Sequence, residues 1–250
     1  MPYTLKKRYH IISLVNSLVQ KRNHKFGIHI PKNIKEDISL DKNNVNTLWQ
    51  DDYEKDMYQV SVAFKIMQDR WHIPVGYMKA SGHLIFDVKM DFTQKAQWVK
   101  NGNFTPDLED SKYAGVVSCD IVRIELTYAS LHQTQVLAAD IRNAYLQAPT
   151  SENHYIICGL EFVLDNVRKI AVIVRALYVV KASGRDFWHH LQSCMVFWGF
   201  KSKGGDPDVC MRSVTQKDGI LVYEYVLLYT YDCLAVSENE ENILKEYIYW

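Results

Sequence analysis

The stretch LVYEYVLLYTYDCLAVS, residues 221–237, is an apolar run that reaches one acid, Asp232, and continues as a second apolar run. Aromatic and β-branched residues dominate both halves, which is typical of β-strands. The sequence therefore predicts an antiparallel hairpin with Asp232 at its tip. Asp232 has two interpretations: it is an ordinary turn residue, or it is half of a pair of metal-binding carboxylates.

A second acid, Asp140, ends the short predicted strand VLAAD, residues 136–140. If this strand and the hairpin are neighbours in one sheet, Asp140 and Asp232 project from the same edge. Mg²⁺ is held by one or two carboxylates together with substrate phosphates, and two such ions clamp the oxygens of a phosphoryl transfer. The alternative is that Asp140 caps the residues after it and Asp232 is a turn residue. Composition and spacing alone favour this alternative.

Hydrophobic periodicity predicts the other elements of the fold. Helices are predicted within 44–67, at 121–131 and at 185–198, the last ending at Gly199. Strands are predicted within 71–99, 154–162, 170–180 and 209–214. A short helix at 11–19 and a final helix after residue 238 are also predicted. This order indicates an α+β fold in which helices cover one face of an antiparallel sheet.

The composition is that of a globular protein and limits the classes of function. Of 250 residues, 48% are hydrophobic and 12% are aromatic. Lys+Arg and Asp+Glu are both 29, and this balance argues against nucleic-acid binding through bulk charge but leaves a basic cleft open. Five cysteines without a CxxC pair argue against a zinc ribbon or a disulfide framework and fit a reducing intracellular compartment. No apolar run is long enough to span a bilayer, so we expect no membrane partner.

Four motifs together resemble one known family. They are ADIRNAYLQAP (139–149), ALYVVKASGRDFWHHL (176–191), GFKSKGGDPDVCMR (199–212) and YVLLYTYDCLAVSENEE (225–241). In order and spacing they resemble the reverse transcriptase domain of Copia-type (Ty/copia) LTR retrotransposon polyproteins, and the likeness runs from about His24 to the end of the chain. The resemblance implies reverse transcriptase fingers and palm with the thumb absent. It divides the chain into a linker or basic arm at 1–45, a fingers-like part at 46–120 and a palm-like part at 121–250.

The resemblance assigns roles to the two acids and to two tyrosines. Asp140 matches the family's metal-binding aspartate at the end of the first palm strand. Tyr145 matches the aromatic residue that excludes ribose, although a core aromatic explains it as well. The family's hairpin carries Tyr-x-Asp-Asp; Asp232 matches the last position, whereas Tyr231 stands where the family has a metal-binding Asp. Tyrosine is neutral at pH 7 and has no carboxylate, so we expect weakened metal binding.

The resemblance implies an RNA-directed DNA polymerase that uses Mg²⁺, with Asp140 and Asp232 as metal ligands and Tyr231 in the catalytic hairpin. We expect this activity to be impaired or absent because of Tyr231. The alternative is a non-enzymatic retrotransposon remnant with at most weak nucleic-acid binding. The implied partners are an RNA/DNA primer–template and deoxynucleotides, without the rest of the polyprotein. The implied location is intracellular and cytoplasmic, in virus-like particles.

Four basic residues are the expected contacts to phosphates or template. They are Lys95, Lys100, Lys181 and Arg185. A separate pair, His190 and Cys194, has the i, i+4 spacing that can bind a metal on a helix. Two ligands without further partners are a weak signal, so a structural role is favoured for this pair.

Overall fold

The computed structural model describes residues 23–68, 71–101, 115–178, 180–202, 205–215 and 219–238. The helices are α1 (Ile34–Asn44), α2 (Leu48–Val60), α3 (Cys119–His132), α4 (Ala144–Gln147) and α5 (Ser183–Phe197). The strands are β1 (His24–Lys25), β2 (Ile28–His29), β3 (Phe64–Ile66), β4 (Met78–Lys79), β5 (Gly82–Val88), β6 (Gln94–Lys100), β7 (Gln135–Asp140), β8 (His154–Ile157), β9 (Ile170–Ile173), β10 (Lys201–Ser202), β11 (Val209–Thr215), β12 (Leu221–Tyr229) and β13 (Asp232–Ser237). Mixed helices and mainly antiparallel sheets confirm the α+β class. None of the helices within these ranges is long and apolar enough to cross a membrane.

Local sequence signals set where the longer helices begin and end. The side chain of Asn33 accepts hydrogen bonds from two N–H groups of the first turn of α1, and Ser118 accepts one from Ile121 in α3. Helix α5 is followed by Gly199 at φ 81°, a left-handed conformation that glycine adopts without a Cβ penalty. The predicted end of this helix is therefore confirmed.

The larger sheet has five antiparallel strands in the order β10-β11-β12-β13-β7. The predicted hairpin is β12 and β13, and the predicted strand VLAAD is β7, paired with β13 along its whole length. Strand β7 is therefore brought beside the hairpin although 91 residues separate Asp140 from β13, which begins at residue 232.

Helices cover both faces of this sheet, which corrects the prediction that they cover one. Val226 and Leu228 belong to a core that includes Phe187 of α5. Tyr225, whose side chain alternates to the opposite face, has its ring 5.1 Å from that of Tyr128 in α3. The physical reason is that β12 carries apolar or aromatic residues at consecutive positions, so both of its faces need cover.

A second core lies around the smaller sheet, ordered β3-β9-β8-β4, and the β5–β6 hairpin. Its aromatic residues meet edge to face, as in Phe64 with Trp98 at 5.0 Å between ring centroids. Helix α2 lies along the outer edge of β6, where Asp52 and Asp56 accept hydrogen bonds from the backbone N–H groups of Ala96 and Trp98. These carboxylates satisfy backbone donors that an edge strand leaves unpaired.

The observed organisation differs from the predicted division at 45 and 120. Within the predicted arm, α1 is a helix, and Ile34 and Leu40 pack against the second core. Strands β8 and β9, from the predicted palm-like part, pair with β3 and β4 of the fingers-like part. The chain thus crosses between the two cores more than once, which local patterns do not reveal. The predicted helices at 11–19 and after 238 lie outside the described residues.

Candidate functional site

Asp140 and Asp232 are directly opposite each other on neighbouring antiparallel strands. Side chains at opposite positions point to the same face, with Cβ atoms about 4.5–5.5 Å apart. Both residues are exposed. Like charges at such positions are destabilising, and a bound cation would offset their repulsion. The structure thus brings together the two acids that the sequence singled out.

The tip of the hairpin is a tight two-residue turn, Thr230-Tyr231, because Tyr229 pairs with Asp232. Thr230 has φ 56°, a left-handed conformation that is uncommon for a β-branched residue. Its backbone N–H donates to the carbonyl of Gly115 at 2.6 Å, so a neighbouring segment holds the turn. Unusual backbone conformations held in this way cluster at functional sites.

Tyr231 faces an aromatic group behind the hairpin. Its carbonyl accepts a hydrogen bond from Ile141 at 2.8 Å, and its ring centroid is 6.3 Å from that of Tyr145 at an interplanar angle of 87°. Tyr145 also meets the rings of Tyr178 at 5.1 Å and Phe187 at 5.9 Å. The half-buried Tyr145 is therefore both next to the β12–β13 hairpin and packed among other aromatic residues.

Burial, with smaller contributions from Asp140 and Asp232, raises the pKa values of groups beside the two acids. Burial raises the pKa of the Cys233 thiol to about 12, with smaller contributions from the charges of Asp232 and Asp140. Burial also raises the pKa of Tyr178, and Asp140 adds to that effect. The pKa of Tyr145 is raised by burial and then by Tyr231. Tyr145 and Tyr178 therefore hold their phenol protons more strongly than ordinary tyrosines do.

The side chain of Lys100 is buried, whereas the phosphate or template contact expected for it requires a position that faces solvent. Its side chain is 3% exposed, and its Nζ is 2.7 Å from a carboxylate oxygen of Glu152 and 3.0 Å from Nδ1 of His154. Burial raises the pKa of Glu152, but hydrogen bonds from His154 and Lys100 outweigh it, so the pKa lies below its ordinary value. Lys100 thus neutralises a buried carboxylate, and this network is a feature that sequence reasoning missed.

The other three basic residues have different surroundings. The side chain of Arg185 is 13% exposed, and its guanidinium donates to Ser151 at 2.7 Å and contacts Asp186 at 3.2 Å. Lys95 is exposed on β6 and Lys181 is exposed just before α5. Arg185 therefore holds the loop after α4 against α5, whereas Lys95 and Lys181 keep exposed positions.

The donor set at the hairpin fits Mg²⁺ in part. Among the described residues, no group of three or more His, Cys, Asp or Glu side chains is placed to hold a metal ion. Two opposed carboxylates suffice for Mg²⁺ when substrate phosphates complete its coordination. Position 231 carries a phenol, so it offers no third carboxylate.

No family model matches this chain, and no curated protein matches it either. The candidate site therefore rests on the motifs of the sequence and on the geometry of Asp140, Asp232 and the tyrosines around them.

Proposed function

We propose that this chain is the reverse transcriptase domain of a Copia-type retrotransposon polyprotein, with RNA-directed DNA polymerase activity that Tyr231 impairs or abolishes. The observation that carries the proposal is the direct opposition of Asp140 and Asp232 at the end of a sheet, with Tyr145 behind the same hairpin. The motifs around these residues support the reaction class, and the register of the two acids supports the proposed metal site.

Asp140 and Asp232 would hold Mg²⁺, and Tyr145 would exclude ribose from the nucleotide site. When bound, Mg²⁺ clamps the attacking and leaving oxygens of the phosphoryl transfer. Exposed Lys95 and Lys181 remain the candidates for phosphate contacts, whereas Lys100 is withdrawn because it is buried with Glu152. The substrates are a primer–template and deoxynucleoside triphosphates.

Tyr231 would impair this site in two ways. A phenol supplies no carboxylate, so it leaves the metal charge less balanced than an aspartate would. Its ring also stands edge to face with Tyr145, so it fills space beside the proposed gate. These two effects act on metal and nucleotide binding respectively.

The alternative is a non-enzymatic remnant that keeps the fold and at most binds nucleic acid weakly. The observation that favours it is the combination of Tyr231 at the hairpin and Lys100 buried away from solvent. The two proposals share a fold and differ in whether the metal site can function.

Primer extension on an RNA template with Mg²⁺ tests the proposal. The chain is compared with its Tyr231→Asp variant, which we expect to extend the primer at least about 10²-fold faster, the scale of a lost charge-stabilising group. Extension by the variant alone supports an intact scaffold that Tyr231 switches off. Extension by neither favours the remnant, and equal extension by both contradicts the role given to Tyr231.

Metal binding gives a second readout that does not need activity. Calorimetric titration with Mg²⁺ or Mn²⁺ is expected to show tighter binding for Tyr231→Asp and none for Asp140→Asn. Asp165→Asn is the matched control, because Asp165 is also exposed and lies in the loop between β8 and β9. Equal loss in both asparagine variants would remove Asp140 from the metal site.

A further inference from the structure

Helix α5 borders a cavity of about 330 Å³, which the proposed polymerase function does not use. Its walls are mainly apolar and include Ile141, Phe187, Leu191 and the 78% exposed Phe197. Its size is at the lower end of the range for sites that take small ligands. Two side chains in this apolar wall carry metal-binding atoms, His190 and Cys194.

His190 and Cys194 already stand close together. They are one helical turn apart on α5, and Nε2 of His190 is 3.9 Å from Sγ of Cys194. Both side chains are only partly exposed. Burial, and then the charge of Arg175, lowers the pKa of His190, so its imidazole is neutral and keeps a lone pair for a ligand bond. The two donors thus converge without a change in the backbone.

We propose that His190 and Cys194 form a two-coordinate site for one copper(I) ion. Thiolate and imidazole are donors that suit this soft ion. A third His, Cys, Asp or Glu ligand is not grouped with them in the part of the chain that the structure describes. Copper(I) accepts linear coordination by two ligands, so it needs no third donor from the cavity wall.

Charge balance selects copper(I) over a divalent ion. A thiolate, a neutral imidazole and Cu⁺ form a complex with no net charge, which an apolar cavity accommodates at little desolvation cost. Zn²⁺ in the same place would leave one positive charge and two coordination positions facing apolar walls. On binding, the S–H bond of Cys194 breaks, the proton passes to solvent and an Sγ–Cu bond forms. Copper remains in the +1 state, so no electrons are exchanged.

This site is independent of the proposed polymerase function, and its test needs no nucleic acid.

The test is an anaerobic titration of the full chain with Cu⁺ in competition with a chromogenic copper(I) chelator. Five cysteines are present, so single variants must separate this site from ordinary thiol binding. We expect His190→Ala to weaken one tight equivalent by at least tenfold and Cys194→Ser to remove it. X-ray absorption of the one-equivalent complex is expected to show one sulfur and one nitrogen donor.

The matched controls are His189→Ala and Cys119→Ser. His189 is on the same helix, with its ring 5.0 Å from Trp188, and Cys119 is an exposed thiol on α3. Both controls are expected to keep the tight equivalent. An unchanged copper(I) affinity in His190→Ala overturns the proposal, and so does tighter binding of Zn²⁺ than of Cu⁺. His190→Ala decides the question even where Cys194→Ser weakens the fold, because it leaves the thiol in place.

Discussion

Two groups of charged side chains in this protein have opposite arrangements. Asp140 and Asp232 are like charges, directly opposite in register and exposed. Lys100 and Glu152 are unlike charges 2.7 Å apart, with 3% and 12% of their side chains exposed. Lys100 and Glu152 neutralise each other without a ligand, so a structural role is sufficient to explain this buried pair. The exposed pair lowers stability unless a cation binds, so it is the better candidate for function.

The largest expected effect comes from breaking the buried group. Lys100→Met leaves the largely buried carboxylate of Glu152 with His154, at 3.0 Å, as its remaining partner, and removing one partner of a buried ion pair costs about 3–5 kcal/mol. Urea denaturation is expected to show a loss of unfolding free energy of this size. Lys95→Met is the matched control on the same strand, and an exposed position is expected to change stability by less than about 0.5 kcal/mol. Equal losses of unfolding free energy in the two variants would contradict the structural role of Lys100, which would then again be a candidate for phosphate contacts.

A fourth acid extends the comparison, because Asp37 is buried without a complementary charge beside it among the described residues. It is 0% exposed, and neither carboxylate oxygen has a hydrogen-bond partner among the described residues. Burial, and then the nearby charge of Asp41, raises its pKa from 3.8 to about 7, and Tyr53 of α2 is also close enough to feel its charge. The folded state therefore binds more protons between these pKa values than the unfolded state, and stability falls as pH rises through that window.

Asp37→Asn keeps the shape of the side chain and removes its ionisation. At pH 5 the original chain has lost only part of this stability, because pH 5 lies inside the window between the two pKa values. From pH 5 to pH 8 the stability of the variant relative to the original chain is expected to rise by about 1–3 kcal/mol, because the original chain keeps losing stability until the pH passes the folded pKa of Asp37. Urea denaturation at the two pH values measures this difference, and Asp165→Asn controls for a change of net charge. A difference that does not grow between pH 5 and pH 8 would mean that Asp37 is already ionised in the folded state at pH 5, so that burial does not raise its pKa.

Local patterns predicted the elements that carry the candidate site. The hairpin around Asp232 and the strand that ends at Asp140 follow from residue type and alternation within short stretches. The pairing of β7 with β13 joins distant parts of the chain. The local pattern is compatible with this pairing but does not predict it. The same limit explains why β8 and β9 were not placed with β3 and β4, whose short strands carry little periodicity.

Two misplacements came from charged residues in buried positions. α1 looked like a polar linker because Asp37 and Asp41 occupy positions on its buried side. Lys100 looked like a surface cation, although it alternates in phase with the buried Ala96 and Trp98 on β6. The two-residue alternation along β6 was therefore visible in the sequence. A prediction based on this alternation, and not on the charge of lysine, would have placed Lys100 in the core.

The smallest expected effect is the one most specific to the candidate site. Asp140→Asn removes one of two like charges at opposed positions, so stability is expected to rise by about 0.2–1 kcal/mol. The gain is expected to shrink at high salt, because exposed charges are screened. Urea denaturation at low and high ionic strength measures both effects, with Asp165→Asn as the control for net charge. A loss of stability in Asp140→Asn would mean that the carboxylate is already satisfied within the fold, which would remove the physical reason for this pair to bind a cation.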